Sequence, residues 1–136
     1  MQQPRAVLWD LDGTIVDSQQ FHWIAWKQTL EPRGVRVSFE QFLRTFGQTN
    51  ATFLPAWLGP DARAAQIREV SEAKEACFRR IIQETGLSPL PGAASWIARL
   101  DSEGWRQAIA SSAHSSDGSP RERATLRDCP TLTSPR

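Results

Sequence analysis

The sequence is poor in cysteine, in long apolar runs and in surplus charge, and each shortage closes off a class of protein. Two cysteines occur among 136 residues, Cys77 and Cys129, with neither CxxC spacing nor histidine neighbours. They suit thiols of a reducing compartment and argue against a disulfide or zinc framework. No apolar stretch approaches the roughly 18 residues that a membrane span requires. Met1-Gln-Gln-Pro-Arg5 runs into a strand-like segment rather than a signal-peptide core, so a cytoplasmic setting is expected. Sixteen Lys and Arg against fifteen Asp and Glu leave a net charge of +1. That balance is too even for a nucleic-acid or membrane-surface protein, which needs a concentrated basic face. Aromatics are missing from the last 31 positions, since all six Trp and six Phe lie between Trp9 and Trp105. Residues 113–136 hold five apolar residues, with Ser, Pro, Arg and Thr in no helical or strand period. That composition predicts disorder and confines the folding information to residues 1–112.

What remains reads as an α/β chain. Residues 5–10, Arg-Ala-Val-Leu-Trp-Asp, form a short apolar run that ends in carboxylates, the pattern of a parallel strand buried on both faces. A helix is expected over 19–31, stopped by Gly34. Ser38 with Gln41 three residues on is a capping-box pattern that introduces Phe39, Phe42, Leu43 and Phe46 at helical spacing. Asp61 is placed to cap a longer helix carrying Ile67, Val70, Cys77, Phe78, Ile81 and Ile82, which ends near Gly86. A further helix runs from Ala93 to about Ser102 with Gly104 as its stop, and Gln107–Ser111 is a second short strand. A βα connection needs one helix, so the block after the first strand reads as a helical insertion.

The informative segment is Asp10-Leu11-Asp12-Gly13-Thr14-Ile15-Val16-Asp17-Ser18. Two carboxylates at the C-terminal end of a strand point into the crevice where open α/β sheets bind ligands. Their repulsion is relieved by a cation or a shared proton, and a hard ion such as Mg²⁺ suits oxygen ligands of this kind. One carboxylate can attack phosphorus while the other protonates the leaving oxygen and then activates water. Gly13 permits the tight turn, and Thr14 offers a hydroxyl and an N–H to phosphate oxygens. The plainer reading is a strand-end turn, because Asp-Gly is a common turn dipeptide. The full nine-residue run after an apolar strand is far more specific than D-x-D-G alone.

This run resembles the first signature motif of the haloacid-dehalogenase-like phosphatase superfamily, in the branch of β-phosphoglucomutase and phosphoglycolate phosphatase. The resemblance covers residues 5–112. It implies an incomplete Rossmann-like core from 1–18 and 88–112, a helical cap at 19–87, and a tail at 113–136 outside the family pattern. It further implies Asp10 as nucleophile, Asp12 as general acid/base, and Mg²⁺ held by Asp10 and Asp12. Ser111, or less well Ser112, matches the phosphoryl-binding hydroxyl of the second motif. His22 matches a cap histidine, with packing among Phe21, Trp23 and Trp26 as the plainer reading. Lys74 matches a cap lysine that contacts a substrate phosphate, with a solvated surface residue between Glu72 and Glu75 as the alternative. Gly47-Gln48-Thr49-Asn50 resembles the cap's substrate-specificity loop, and Asn50 falls where the mutase carries arginine. An amide lacks the bidentate charged grip on a second phosphate, which favours a phosphatase. Trp23, Trp26 and Trp57 are candidates for lining a pocket, with core packing the stronger reading.

The implied function is Mg²⁺-dependent hydrolysis of a small phosphorylated metabolite, a sugar phosphate or phosphoglycolate-like acid. Beyond Ala113 there is no Lys, and the acids Asp117, Glu122 and Asp128 are unpaired, so the family's third and fourth motifs find no match. The expectation is a truncated or frame-shifted product with impaired catalysis. A phosphosugar mutase and a non-catalytic fragment that binds a phosphorylated ligand or partner are the alternatives. A receiver domain is not, because its phosphorylated Asp sits on a later strand.

Overall fold

The computed structural model describes residues 5–110. In chain order these form β1 (Ala6–Trp9), α1 (Gln19–Leu30), a 3₁₀ turn (Glu31–Arg33), α2 (Phe39–Thr45), α3 (Asn50–Leu58), α4 (Ala64–Thr85), α5 (Ala93–Ser102) and β2 (Arg106–Ile109). The chain is α/β, as its pattern of elements predicts. It divides into two compact units: one takes the segment up to Ser18 and resumes at Leu87, and the other is Gln19–Gly86.

In the first unit β1 and β2 pair in parallel, Ala6 opposite Arg106 and Trp9 opposite Ile109. The Trp9 indole donates to Gln107 Oε1 at 2.9 Å, and the Gln107 amide donates to the Ile97 carbonyl at 2.9 Å. These two bonds tie α5 to one face of the sheet. The core beneath is Ile15, Val16 and Ala93, with Trp9, Leu11, Leu87, Leu90, Ile97 and Ile109 packed around it. The other face is uncovered among the described residues, where Leu8 is 64% exposed. A strand buried on both faces is therefore not what forms. The continuous apolar run records a preference for burial, and α5 is the helix that packs on this sheet. The α5 helix ends where the sequence predicts, with Gly104 at φ +75 immediately after its C-cap.

The helical unit is organised on α1 against α4, with α3 also on α4. Trp26, Leu30, Phe42, Phe53, Leu54 and Val70 are its buried core. Trp26 meets the rings of Phe53 and Trp57 edge-on, at 5.4 and 5.6 Å, a favoured aromatic geometry. The capping box forms as read: Gln41 N–H donates to Ser38 Oγ, and Ser38 N–H to Gln41 Oε1.

Two expectations need correction here. Asp61 does not cap α4, whose N-cap is Arg63. The turn closed by Ala62 N–H on the Gly59 carbonyl spends Asp61 before the helix begins. A capping side chain reaches the N2 or N3 amide only from the position directly before the helix. Asn50 is not in a loop but opens α3, a helix that carries Pro55 inside it.

Candidate functional site

Asp10 follows directly on β1 and is exposed. The loop after it folds about one carbonyl. Leu11 O accepts the N–H groups of Ile15 and Val16 at 3.0 and 3.1 Å, and more distantly that of Thr14 at 3.4 Å. Gly13 N–H donates to Val16 O at 2.8 Å, and Leu90 N–H to Ile15 O at 2.7 Å. Ile15 and Val16 are fully buried and pin the loop to the core of the first unit. Gly13 stands at φ +79 with open space where a Cβ would go, so the requirement for glycine is conformational rather than steric.

The two carboxylates sit in different surroundings. Asp10 Oδ1 accepts the N–H of Leu11 at 2.9 Å and is otherwise presented at the surface. Asp12 is half-buried, and its Oδ1 accepts a short 2.5 Å bond from the hydroxyl of Ser18, which is completely buried. Ser18 belongs to the motif but carries no role in the sequence reading. The signal that could have found it is its place at the end of the acidic run, one residue before the first helix. Gly13 and Thr14 are both exposed. Because the Gly13 amide is taken by Val16 and the Thr14 amide leans on Leu11, the Thr14 hydroxyl is the group on this turn available to a ligand.

His22, Lys74 and Asn50 belong to the helical unit. Lys74 is 4% exposed, which overturns the solvated-surface reading. Its Nζ lies 2.8 Å from His22 Nδ1 and 2.7 Å from Glu75 Oε1, with the rings of Phe78 and Trp26 at 5.1 and 5.4 Å. An ammonium has only donors, so Nδ1 accepts and Nε2 carries the ring proton. The imidazole is stacked on Phe78 at 4.1 Å and 4° and meets Phe46 edge-on, rather than packing among its sequence neighbours. A buried lysine is tolerable here because its charge is paired and its protons are directed. Asn50 is half-buried at the start of α3. Ser111 and Ser112 lie outside the described residues, as do Cys129 and the segment 113–136. Cys77 is a free thiol whose Sγ contacts Gln28 Oε1 at 3.2 Å. Of the three tryptophans considered for a pocket, Trp26 is core and Trp57 packs on that core. Trp23 lines a groove.

Among the described residues, no group of three or more His, Cys, Asp or Glu side chains could hold a metal ion. The donors on the Asp10 loop are nonetheless hard oxygens, which fit part of the shell of an ion that keeps several waters. No described helix is long and apolar enough to cross a membrane.

An α/β chain with an acidic loop at the end of a parallel strand is the class that fold and site define. Residues 4–129 match the haloacid dehalogenase-like hydrolase family, and the chain belongs to that family. The matched span runs past the described residues to Cys129. The chain is 29% identical over 131 residues to the protein CbbY of Cereibacter sphaeroides, covering 91% of this chain and 55% of that one. It is 26% identical over 139 residues to the β-phosphoglucomutase of Bacillus subtilis (strain 168), covering 96% and 61%. CbbY from Rhodobacter sphaeroides in complex with phosphate matches at 25% identity and a TM-score of 0.69, over 96% of this chain and 56% of that chain. A mutant of that protein in complex with xylulose-(1,5)bisphosphate shares the fold at 24% identity and a TM-score of 0.69, with the same coverage. The chain spans about half the length of the curated relatives it matches.

Proposed function

We propose that the chain carries the nucleophilic half of a Mg²⁺-dependent phosphatase acting on a small phosphomonoester. The observation that supports this best is the unequal treatment of the two carboxylates. Asp10 is exposed at the strand end, while Asp12 is half-buried and held by the buried Ser18 hydroxyl. Carboxylates in different environments are suited to different roles.

In this reading an Asp10 carboxylate oxygen attacks phosphorus. An Asp10 O–P bond forms as the bond to the leaving oxygen breaks, and the protonated Asp12 carboxyl gives its proton to that oxygen. Water then attacks the phosphoryl group, Asp12 takes its proton, and Asp10 is regenerated as phosphate leaves. The Thr14 hydroxyl steadies a phosphoryl oxygen, and Ser111 is proposed as a second donor. Mg²⁺ would be held by the Asp10 carboxylate and the Asp12 backbone carbonyl, and would supply counter-charge to the phosphoryl oxygens.

The substrate class proposed is a sugar phosphate or phosphoglycolate-like acid in the cytoplasm, with His22 and Lys74 contributing to its binding. Relatives named for a phosphoglucomutase and bound to phosphate or xylulose bisphosphate support it. Asn50 in place of a guanidinium favours one phosphate over two and hydrolysis over a mutase reaction. Since the loop brings no cation of its own, the chain is proposed to turn over slowly. Phosphate release from a panel of phosphomonoesters tests this, with Asp10→Asn as control. Release that is lost in Asp10→Asn supports the reading. Release that survives in Asp10→Asn refutes it. Tight phosphate-ester binding without release would favour a ligand-binding chain.

A further inference from the structure

The helical unit contains a half-open groove of ≈ 450 Å³ that shares no residue with the Asp10 loop or the His22–Lys74 pair. That volume lies in the range of small-molecule sites, roughly 300–1,000 Å³. Its walls are apolar: the Trp23 ring, Leu30, Val35 and Val37. Its charged groups are paired, with one exception. Ser38 Oγ and Gln41 Oε1 serve as acceptors in the capping box of α2. Lys27 and Glu31 face each other at 3.8 Å, with both side chains half-exposed. Arg36 is exposed at the rim and has no acidic partner among the described residues. The apolar surface continues beyond the rim, because Phe39, 40% exposed, meets Trp23 at 5.6 Å.

We propose that this groove binds a small organic anion with an apolar body, an aryl or medium-chain acyl carboxylate. The ring or chain lies against Trp23, Val35 and Val37, and the carboxylate pairs with Arg36. A guanidinium takes a carboxylate through two parallel N–H···O bonds, a geometry that neither a hydroxyl nor an amide reproduces. Among the described residues, the one charge in the lining without an opposite partner is that of Arg36, and a carboxylate answers it where an alcohol of the same body does not. The charge, rather than the apolar contact alone, therefore decides what binds.

The test is a ¹H–¹⁵N NMR titration of the full chain with 2-naphthoate, and with 2-naphthalenemethanol as its uncharged counterpart. The expected result is saturable shifts at the Trp23 indole, Val35 and Val37 with 2-naphthoate. Arg36→Glu should weaken binding about tenfold, Arg36→Lys, which keeps the charge but loses the two-pronged contact, should fall between Arg36→Glu and the parent chain, and the differences should shrink at high salt. Arg36 is exposed, so its replacement leaves the core intact, and an unchanged spectrum outside the groove confirms it. Any of three results overturns the proposal: no saturation at these residues, equal affinity in Arg36→Glu, or equally tight binding of the alcohol. Activity at Asp10 bears on none of these outcomes.

Discussion

Removing the Ser18 hydroxyl is the sharpest perturbation of the aspartate loop. Ser18 is fully buried and donates to Asp12 Oδ1, and the acceptor is half-buried. A hydrogen bond to a charged group contributes about 1.5–3 kcal/mol net. Because water can reach Asp12 once the hydroxyl is gone, the lower end applies, and Ser18→Ala should cost about 1.5 kcal/mol. For a domain of about 100 residues that corresponds to a fall of roughly 6–10 °C in Tm. A loss of stability alone would not identify the cause, since a buried oxygen has also become a void. The decisive assay is a double-mutant cycle of Ser18→Ala and Asp12→Ala by thermal or urea unfolding. If the bond organises the loop, the two losses overlap by about 1.5 kcal/mol, well above the scatter expected of independent sites. Losses that add to within about 0.3 kcal/mol would show that Ser18 is a packing residue.

Gly13→Ala should cost about 1–2 kcal/mol in an unfolding experiment, because φ +79 strains any side chain although the space is open. A neutral result would mean that the turn relaxes freely. Lys74→Met keeps the volume of the buried stem but leaves His22 Nδ1 and Glu75 without their donor. The expected loss is about 2 kcal/mol, below the usual cost of breaking a buried pair because Glu75 reaches solvent. In NMR, Nδ1 should also cease to behave as the fixed acceptor, and an unchanged tautomer would contradict the pairing. The Arg99 guanidinium, hydrogen-bonded to Glu103, holds that carboxyl below its ordinary range. The small contribution of this bond is therefore present above the ordinary carboxylate pKa and fades as pH falls through the lowered one. Arg99→Met should raise the Glu103 titration, followed by ¹³C NMR, towards the ordinary range, with Trp105 and Arg5 still lowering it, and no movement would exclude Arg99 as the main cause.

The elements with local punctuation were legible in the sequence. The capping box at Ser38 and Gln41, the Gly104 stop and the two strands each declare themselves within a few residues. The α3 helix was not legible. Its nine residues contain Pro55 and begin directly after Gly47-Gln48-Thr49, and both features argue locally for a break. What overrides them is burial of Phe53 and Leu54 in the core shared with Trp26 and Val70, contacts that no window of sequence displays. Asp61 failed as a cap for a related reason. A favourable residue type was present, but the turn before α4 decides which position faces the free amides.

The same limit applies to the candidate site. Asp10, Asp12, Gly13 and Thr14 are adjacent in sequence, and their shared loop could be read directly. The His22–Lys74 pairing joins residues 52 apart, and it emerges only when α1 and α4 pack. The surface alternative for Lys74 rests on its position between Glu72 and Glu75, and the packing that buries it is not local in sequence. Ser18 went unassigned because a serine beside a helix start has a common structural use, and its bond to Asp12 depends on how the loop closes.

The account rests on Asp10 being the group that takes up phosphorus. Beryllofluoride, which mimics a phosphoryl group on a carboxylate, tests this without demanding turnover. Its ¹⁹F spectrum should be recorded with the full chain and Mg²⁺, and again with Asp10→Asn. The prediction is a distinct protein-bound resonance in the parent chain that vanishes in the variant while the fold, followed by circular dichroism, is unchanged. A bound resonance that persists in Asp10→Asn, or none in a folded parent chain, would contradict the assignment of Asp10.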